Sequence, residues 1–364
     1  MGHPLSVMRL MSVLALAATI ALGGTGSGHA LTQEEIAKLS GPDRGKVLLE
    51  GARKEGEVSF YTTLIIDQVV RPIHQAFVAK YPDIKLNFIR NDSSQMIQKV
   101  LAESRAKSIR VDVIVANAVT AMKNTNLAHP FMTPYHADYP AAYVDPELAW
   151  VSFYNLWEGI AWNTNMVRDQ DAPKTWEALL DPKWKGKMVW TSSVATGAER
   201  LITDLRKLWG EQKALDYIQK LKANDIRTLP GSIRSALDQV IAGEYPIGVN
   251  MAMHHIAISK SQGAPTTGVT PEPAFGQSGY INYIRGAPNP HAGMIFIDFL
   301  MAPDGGQKVL AEVQYNPAHP KVPPAAELRW IQPNLNGLKE VFTPPEEVDA
   351  MTKASVETYQ KIFR

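Results

Sequence analysis

The run GEYPIGVNMAMHHIA, residues 243–257, sets two methionines beside two adjacent histidines. Thioethers and imidazoles are soft donors, and copper is a metal they suit. The same side chains also serve as one wall of a pocket for an organic molecule, where methionine supplies adaptable apolar surface. Neighbouring side chains diverge on a helix or a strand, so only one of His254 and His255 is expected to face such a site with Met251 or Met253. That geometry favours the organic pocket, with Asn250, Met253 and His254 as its expected contributors.

A second constellation consists of small polar residues before helices: Asp92, Ser93 and Ser94; Thr191, Ser192 and Ser193; Gly231 and Ser232. Helix capping alone accounts for such residues. The functional reading is an anion site, because free backbone N–H groups and the positive helix end gather at the C-terminal edge of a parallel sheet. Arg234 favours it, since a cation in a first helical turn opposes the dipole unless an anion lies nearby. A carboxylate or a phosphonate would suit. Strand ends add Tyr61, Thr62, Thr63 and Asn117, while Trp162 and Trp190 fit a pocket wall or the core equally well.

The elements that must position these groups are legible. EVSFYTT alternates as a strand, DQVVRPIHQAFVAKYP repeats at helical spacing, and KLNFIR is again strand-like. NDSSQMIQKVLAES opens with Asp92 and Gln95 in a capping-box pattern, and VDVIVAN reads as a strand covered on both faces. Strand and helix alternating in this way predict a parallel α/β sheet. KMVWTSSVATGAERLITDLRKLW and LPGSIRSALDQVIAGEYPIGV repeat the pattern in the middle of the chain. TPEPAFGQSGYINYI, with Pro271 and Pro273, reads as a return connection between two lobes.

Composition narrows the classes further. Arg9 is the only charged residue among the first thirty, and LMSVLALAATIAL follows it before a small-x-small end at Gly28 and Ala30. This is the pattern of an export signal, predicting cleavage after Ala30 and a chain that starts at Leu31. There is no cysteine among the 364 residues, which excludes disulfides, thiol catalysis and thiolate-held metals. Without Arg9 the 37 basic residues become 36 against 36 acidic ones, a balance that does not favour nucleic acid. GPDRGKV imitates a phosphate loop but has three residues between its glycines and ends in Val47, so it reads as a turn. No Gly-x-Ser-x-Gly, His-Glu-x-x-His or calcium-loop motif is present, which argues against an enzyme; a secreted α/β hydrolase is the competing class.

The ordered motifs EGIAWNTNMV, APKTWEALLDPKWKGKMVW, AGEYPIGV, NPHAGMIFIDFLMAPDGGQKVLAE and YNPAHPKV are similar to those of ferric-type solute-binding proteins of ABC transporters. The resemblance spans nearly the whole chain after the signal. It implies an α/β, two-lobed periplasmic binding protein of the type II clamshell form, with the ligand cleft between the lobes. Lobe 1 would hold residues 31–155 with a return segment 275–325, and lobe 2 residues 156–274 with C-terminal helices in 326–364. It also implies a periplasmic monomer without a resident cofactor, capturing a small molecule for an inner-membrane permease, with Tyr315 as a site residue near the hinge. The positions matching the ferric ligands are Ile65, Asn117, Ala252 and Met253. None offers the oxygen ligands of Fe(III), so an organic acid is the expected solute and a metal the alternative.

Overall fold

The computed structural model describes residues 30–364 apart from 92, 118 and 193–195. The expected leader up to residue 29, Asp92 of the capping box and the candidate Ser193 lie outside the described residues. Among those described, no helix is long and apolar enough to cross a membrane.

The alternating residues of EVSFYT form β1 (Glu57–Thr62), whose Val58 and Phe60 are fully buried. Phe60 meets Phe296 edge to face at 5.0 Å, from the helix Pro290–Met301 that covers this side. β2 (Lys85–Arg90) and β3 (Val113–Ala116) flank β1 in parallel, in the expected register of a strand–helix–strand unit. The helix Arg71–Lys80 makes the first crossover and the helix Ser93–Arg105 the second. All four residues of β3 are buried, as an unbroken apolar run requires when helices cover both faces.

The chain then enters β4 (Val151–Asn163), thirteen residues all buried. β5 (Met188–Thr191), β6 (Arg227–Leu229) and β7 (Ile247–Ala252) follow, with β5 parallel to both β6 and β7. β8 (Ala274–Ile284) returns antiparallel to β4. The resulting order is β2-β1-β3-β8-β4-β7-β5-β6, with four short strands at its margins. Two parallel halves are thus joined through the antiparallel pair β4 and β8.

Both joining strands are irregular where they pass between the halves. The β4–β8 register shifts at Gly279, and the β4–β7 register shifts at Gly159. Bulges bend a strand and increase its twist. Glycine is required at 159: a Cβ there would lie 2.3 Å from the Met253 sulfur and 2.4 Å from the Val269 carbonyl oxygen. Separate cores serve the two halves. Phe60, Phe77 and Phe296 fill the first, while Trp162, Trp176 and Trp190 fill the second. Trp162 and Trp190 are therefore core residues and not pocket walls; the Trp190 indole donates to Thr228 at 2.9 Å. The C-terminal helix Pro345–Phe363 packs on Ala198–Trp209, where Thr203 donates to Ser355 at 2.8 Å.

Candidate functional site

In parallel α/β sheets, ligands gather beyond the carboxyl ends of the strands. In the first half those ends are Thr62 and Ala116, followed by Thr63 and Asn117. The Thr62 hydroxyl accepts from the Leu64 N–H at 3.1 Å, so the backbone turns directly after β1. Thr63 and Asn117 both hydrogen-bond the hydroxyl of Tyr154 on β4, whose phenol burial pushes up to about 12. The Asn117 amide also donates to the Ser278 carbonyl of β8 at 3.1 Å, and the Ser278 hydroxyl donates to Asn155 at 2.7 Å. Two strand ends are thereby tied to both joining strands.

Tyr61 departs from expectation. Its ring is buried against the helix Ser93–Arg105, with the Lys99 ammonium 5.4 Å from its centre. Its hydroxyl donates to Glu103 at 2.9 Å. Alternation along β1 turns Tyr61 away from Thr62, so it is a core residue. Ser93 opens that helix and is half-buried.

The second half presents Thr191 at the end of β5, then Ser192. The Ser192 hydroxyl donates to Glu199 at 2.5 Å, across the loop that enters the helix Ala198–Trp209. Asn250 sits in the left-handed region at φ +58°, a conformation asparagine tolerates better than most residues. Its amide donates to the Thr196 and Gly197 carbonyls at 3.3 Å each, which ties β7 to the same loop. Glu158 of β4 stands beside Asn250 and accepts from Gln277 of β8. Burial raises the Glu158 carboxyl, opposed by the nearby Arg200 guanidinium, which pairs with Asp204 at 2.7 Å.

An aromatic ladder lies beside the joining strands. Tyr154 meets Tyr315 at 5.4 Å, Tyr315 meets His254 at 4.6 Å, and His254 meets His255 at 4.2 Å. The two imidazoles do not diverge as expected, because they occupy the first turn of the helix Met253–Ser261 and tilt toward each other. Burial and then neighbouring positive charge, Arg234 included, lower both; His255 falls to about 3. Met251 and Met253 are fully buried in the core behind them, with Ala236 and Leu237, and are not a cleft wall.

Two further expectations meet local partners. Ser232 caps the helix Ile233–Ile241 by accepting from the Ser235 N–H at 3.2 Å. Arg234 is held by Asp238 at 2.7 Å and by the Ser259 hydroxyl at 2.9 Å, so its place in a first turn is offset within the fold. Thr63, Asn117, Thr191, Ser192, Asn250, His254 and Tyr315 are the expected residues that border the joining strands. Tyr154, Glu158 and Gln277 were missed; the signal was a run of polar side chains inside strands that are otherwise apolar.

Residues 73–334, more than two thirds of the chain, match the family model described as bacterial extracellular solute-binding protein. A Haemophilus influenzae protein described only as uncharacterized is 27% identical over 243 residues, 64% of this chain and 69% of that one. Among solved structures, the periplasmic binding protein AfuA of Actinobacillus pleuropneumoniae, with exogenous fructose-6-phosphate bound, superposes with a TM-score of 0.72. It is 23% identical and covers 84% of this chain and 98% of its own. A Trichodesmium protein in complex with iron and citrate superposes at 0.69 with 21% identity, covering 85% and 99%. These likenesses bear out the two-lobed α/β fold. With the matched model, they place this chain among the bacterial extracellular solute-binding proteins.

Proposed function

We propose that this chain is the periplasmic substrate-capture subunit of an ABC importer for a small organic solute with an acidic group. Residues 31–155 with 275–325 form one lobe, and residues 156–274 with the C-terminal 326–364 the other. The lobes close over the solute by bending at the irregular positions of β4 and β8, and the closed monomer docks on the permease.

One observation carries this reading. Thr63 and Asn117, from two strand ends of the first half, meet Tyr154 on a joining strand, while Ser192 and Asn250 end the facing half. Arg90, at the end of β2, exerts its positive charge on the Tyr315 phenol, which burial otherwise raises, while Arg234 near it is already paired with Asp238. An acid of the solute would sit in the potential of Arg90. Glu199 already accepts from Ser192 at the start of the helix Ala198–Trp209, so we assign the acid to the Tyr154–Tyr315 side and not to that helix end.

Ferric ion is the disfavoured alternative. Ile65, Asn117, Ala252 and Met253 hold no carboxylate, imidazole or phenol, whereas Fe(III) needs hard oxygen donors. Two titrations test the choice. Calorimetry against a panel of small carboxylates and phosphonates is expected to find a binder, and chelated Fe(III) is expected to leave the protein colourless with an unchanged melting temperature. A visible absorption band with one iron per chain would overturn the organic reading.

A further inference from the structure

The C-terminal helix Pro345–Phe363 touches both halves of the molecule. Its body belongs to the second half, where Thr203 donates to Ser355 at 2.8 Å and Arg206 donates to Thr358 at 2.6 Å. Its start meets the first half. The indole of Trp150, just before β4, donates to Glu346 at 2.9 Å, and the Lys123 ammonium lies 3.6 Å from the same carboxylate. Asp349 accepts from the Asn124 amide at 3.2 Å. Residues three apart share a helix face, so Glu346 and Asp349 together address the short helix Thr120–Asn124 and its neighbour Trp150.

The helix dipole favours an acid in a first turn, so the dipole alone accounts for Glu346 and Glu347. Their partners separate the two. Glu347 accepts from Lys207 of the second half at 2.7 Å, while Glu346 is taken by Trp150 and Lys123 of the first. The receiving groups are held by their own half. Asp145, fully buried, accepts from Lys123 at 2.7 Å and from the Ala149 N–H at 3.0 Å. Trp150 is buried edge to face with Tyr280 of β8 at 4.9 Å. A fixed indole donor and an ammonium anchored on a buried carboxylate thus face one carboxylate of the other half. The contact is separate from β4 and β8, which join the halves through the sheet.

We infer that Glu346 and Asp349 form a clasp that sets the angle between the lobes. The C-terminal helix moves with the second lobe, and its start must release Trp150, Lys123 and Asn124 before that lobe swings. Both acids are exposed, so water takes over their hydrogen bonds when the contact opens, and the clasp is weak enough to be released. This inference rests on the lobe closure proposed above and adds to it a contact that resists the motion.

Distances between spin labels test it. The chain has no cysteine, so labels attach only where cysteines are introduced. Ser108→Cys, after the helix Ser93–Arg105, and Gln219→Cys, on the helix Glu211–Ala223, place one label on each lobe at exposed positions. Electron–electron resonance on the labelled parent should give a single narrow distance distribution. Glu346→Ala with Asp349→Ala should shift its mean or widen it by more than about 2 Å. Glu346→Ala alone should move it in the same sense, and it replaces the double variant if that one does not fold. Glu347→Ala removes the neighbouring first-turn charge and the Lys207 pair, and should leave the distribution as in the parent. An unchanged distribution in the Glu346 variants, or an equal change in Glu347→Ala, would overturn the clasp while leaving the closure reading intact. Calorimetric binding of a small carboxylate or phosphonate with no change in the parent distance would end the closure reading, and the clasp with it.

Discussion

The Tyr154 hydroxyl ties Thr63 to Asn117, and each of these is the first residue beyond a parallel strand. Tyr154→Phe keeps the ring against Tyr315 and removes only those hydrogen bonds. It should cost about 0.5–1.5 kcal/mol of stability in denaturant titration. Calorimetry with the solute should show a larger loss, because a hydroxyl at the acid's assigned position disappears. Met253→Leu should be mild on both counts, under about 1.5 kcal/mol, since this side chain fills core volume. The histidines titrate with a definite sign. Both have folded pKa values below the ordinary 6.5, so the unfolded chain binds protons that the folded chain refuses. Their contribution is full above the unfolded value and is lost as pH falls below about 6.5, for His255 down to about 3, at up to about 1.4 kcal/mol per pH unit for each. Asp112 and Glu158, which burial raises to about 7 and about 8, act in the opposite direction over the same range, so the histidine contribution is read as a difference: between about pH 7 and pH 5 the parent should lose more stability in denaturant titration than His255→Asn. Thr63 and Asn117 were legible because a polar residue after an apolar run marks a strand end. Tyr61 was misjudged because its partner, Glu103, lies a helix away. Glu158 was invisible because its partner Gln277 is 119 residues distant.

At the level of elements, β4 and β8 determine how the two halves meet, and Gly159 marks where β4 changes register. Gly159→Ala should destabilise by about 1–3 kcal/mol, because the added methyl meets a backbone oxygen and a packed sulfur, not a free side-chain end. Gly263, where a Cβ would meet nothing within 4 Å, takes the left-handed φ +84° and so is no neutral control. Gly45 is the better one, with open space and no positive φ. Thermal melts should show a clear fall for Gly159→Ala and little change for Gly45→Ala. Periodicity revealed the strands and helices of both halves, since each buries one consistent face. The passage between the halves was less legible, because VSFYNLWEGIAWN is buried throughout and offers no alternation to read.

For the molecule as a whole, the chemistry is divided between two halves that share two strands. In the arrangement proposed above, the first half would supply Thr63, Asn117 and Arg90 and the second Ser192 and Asn250, so neither would complete the site alone. Joint recognition by both halves is what couples binding to closure. The proposed capture role requires that the chain leave the cell interior and gather its solute in the periplasm. Native mass spectrometry of the chain recovered from the periplasm, without added ligand, tests whether it captures such a solute there. The expected species is a polypeptide beginning at or near Leu31, carrying one small organic acid that is lost on denaturation and depleted in Asn117→Ala. A chain that retains residues 1–30 in the cytoplasm, or one that carries a single iron with a visible absorption band, would contradict it.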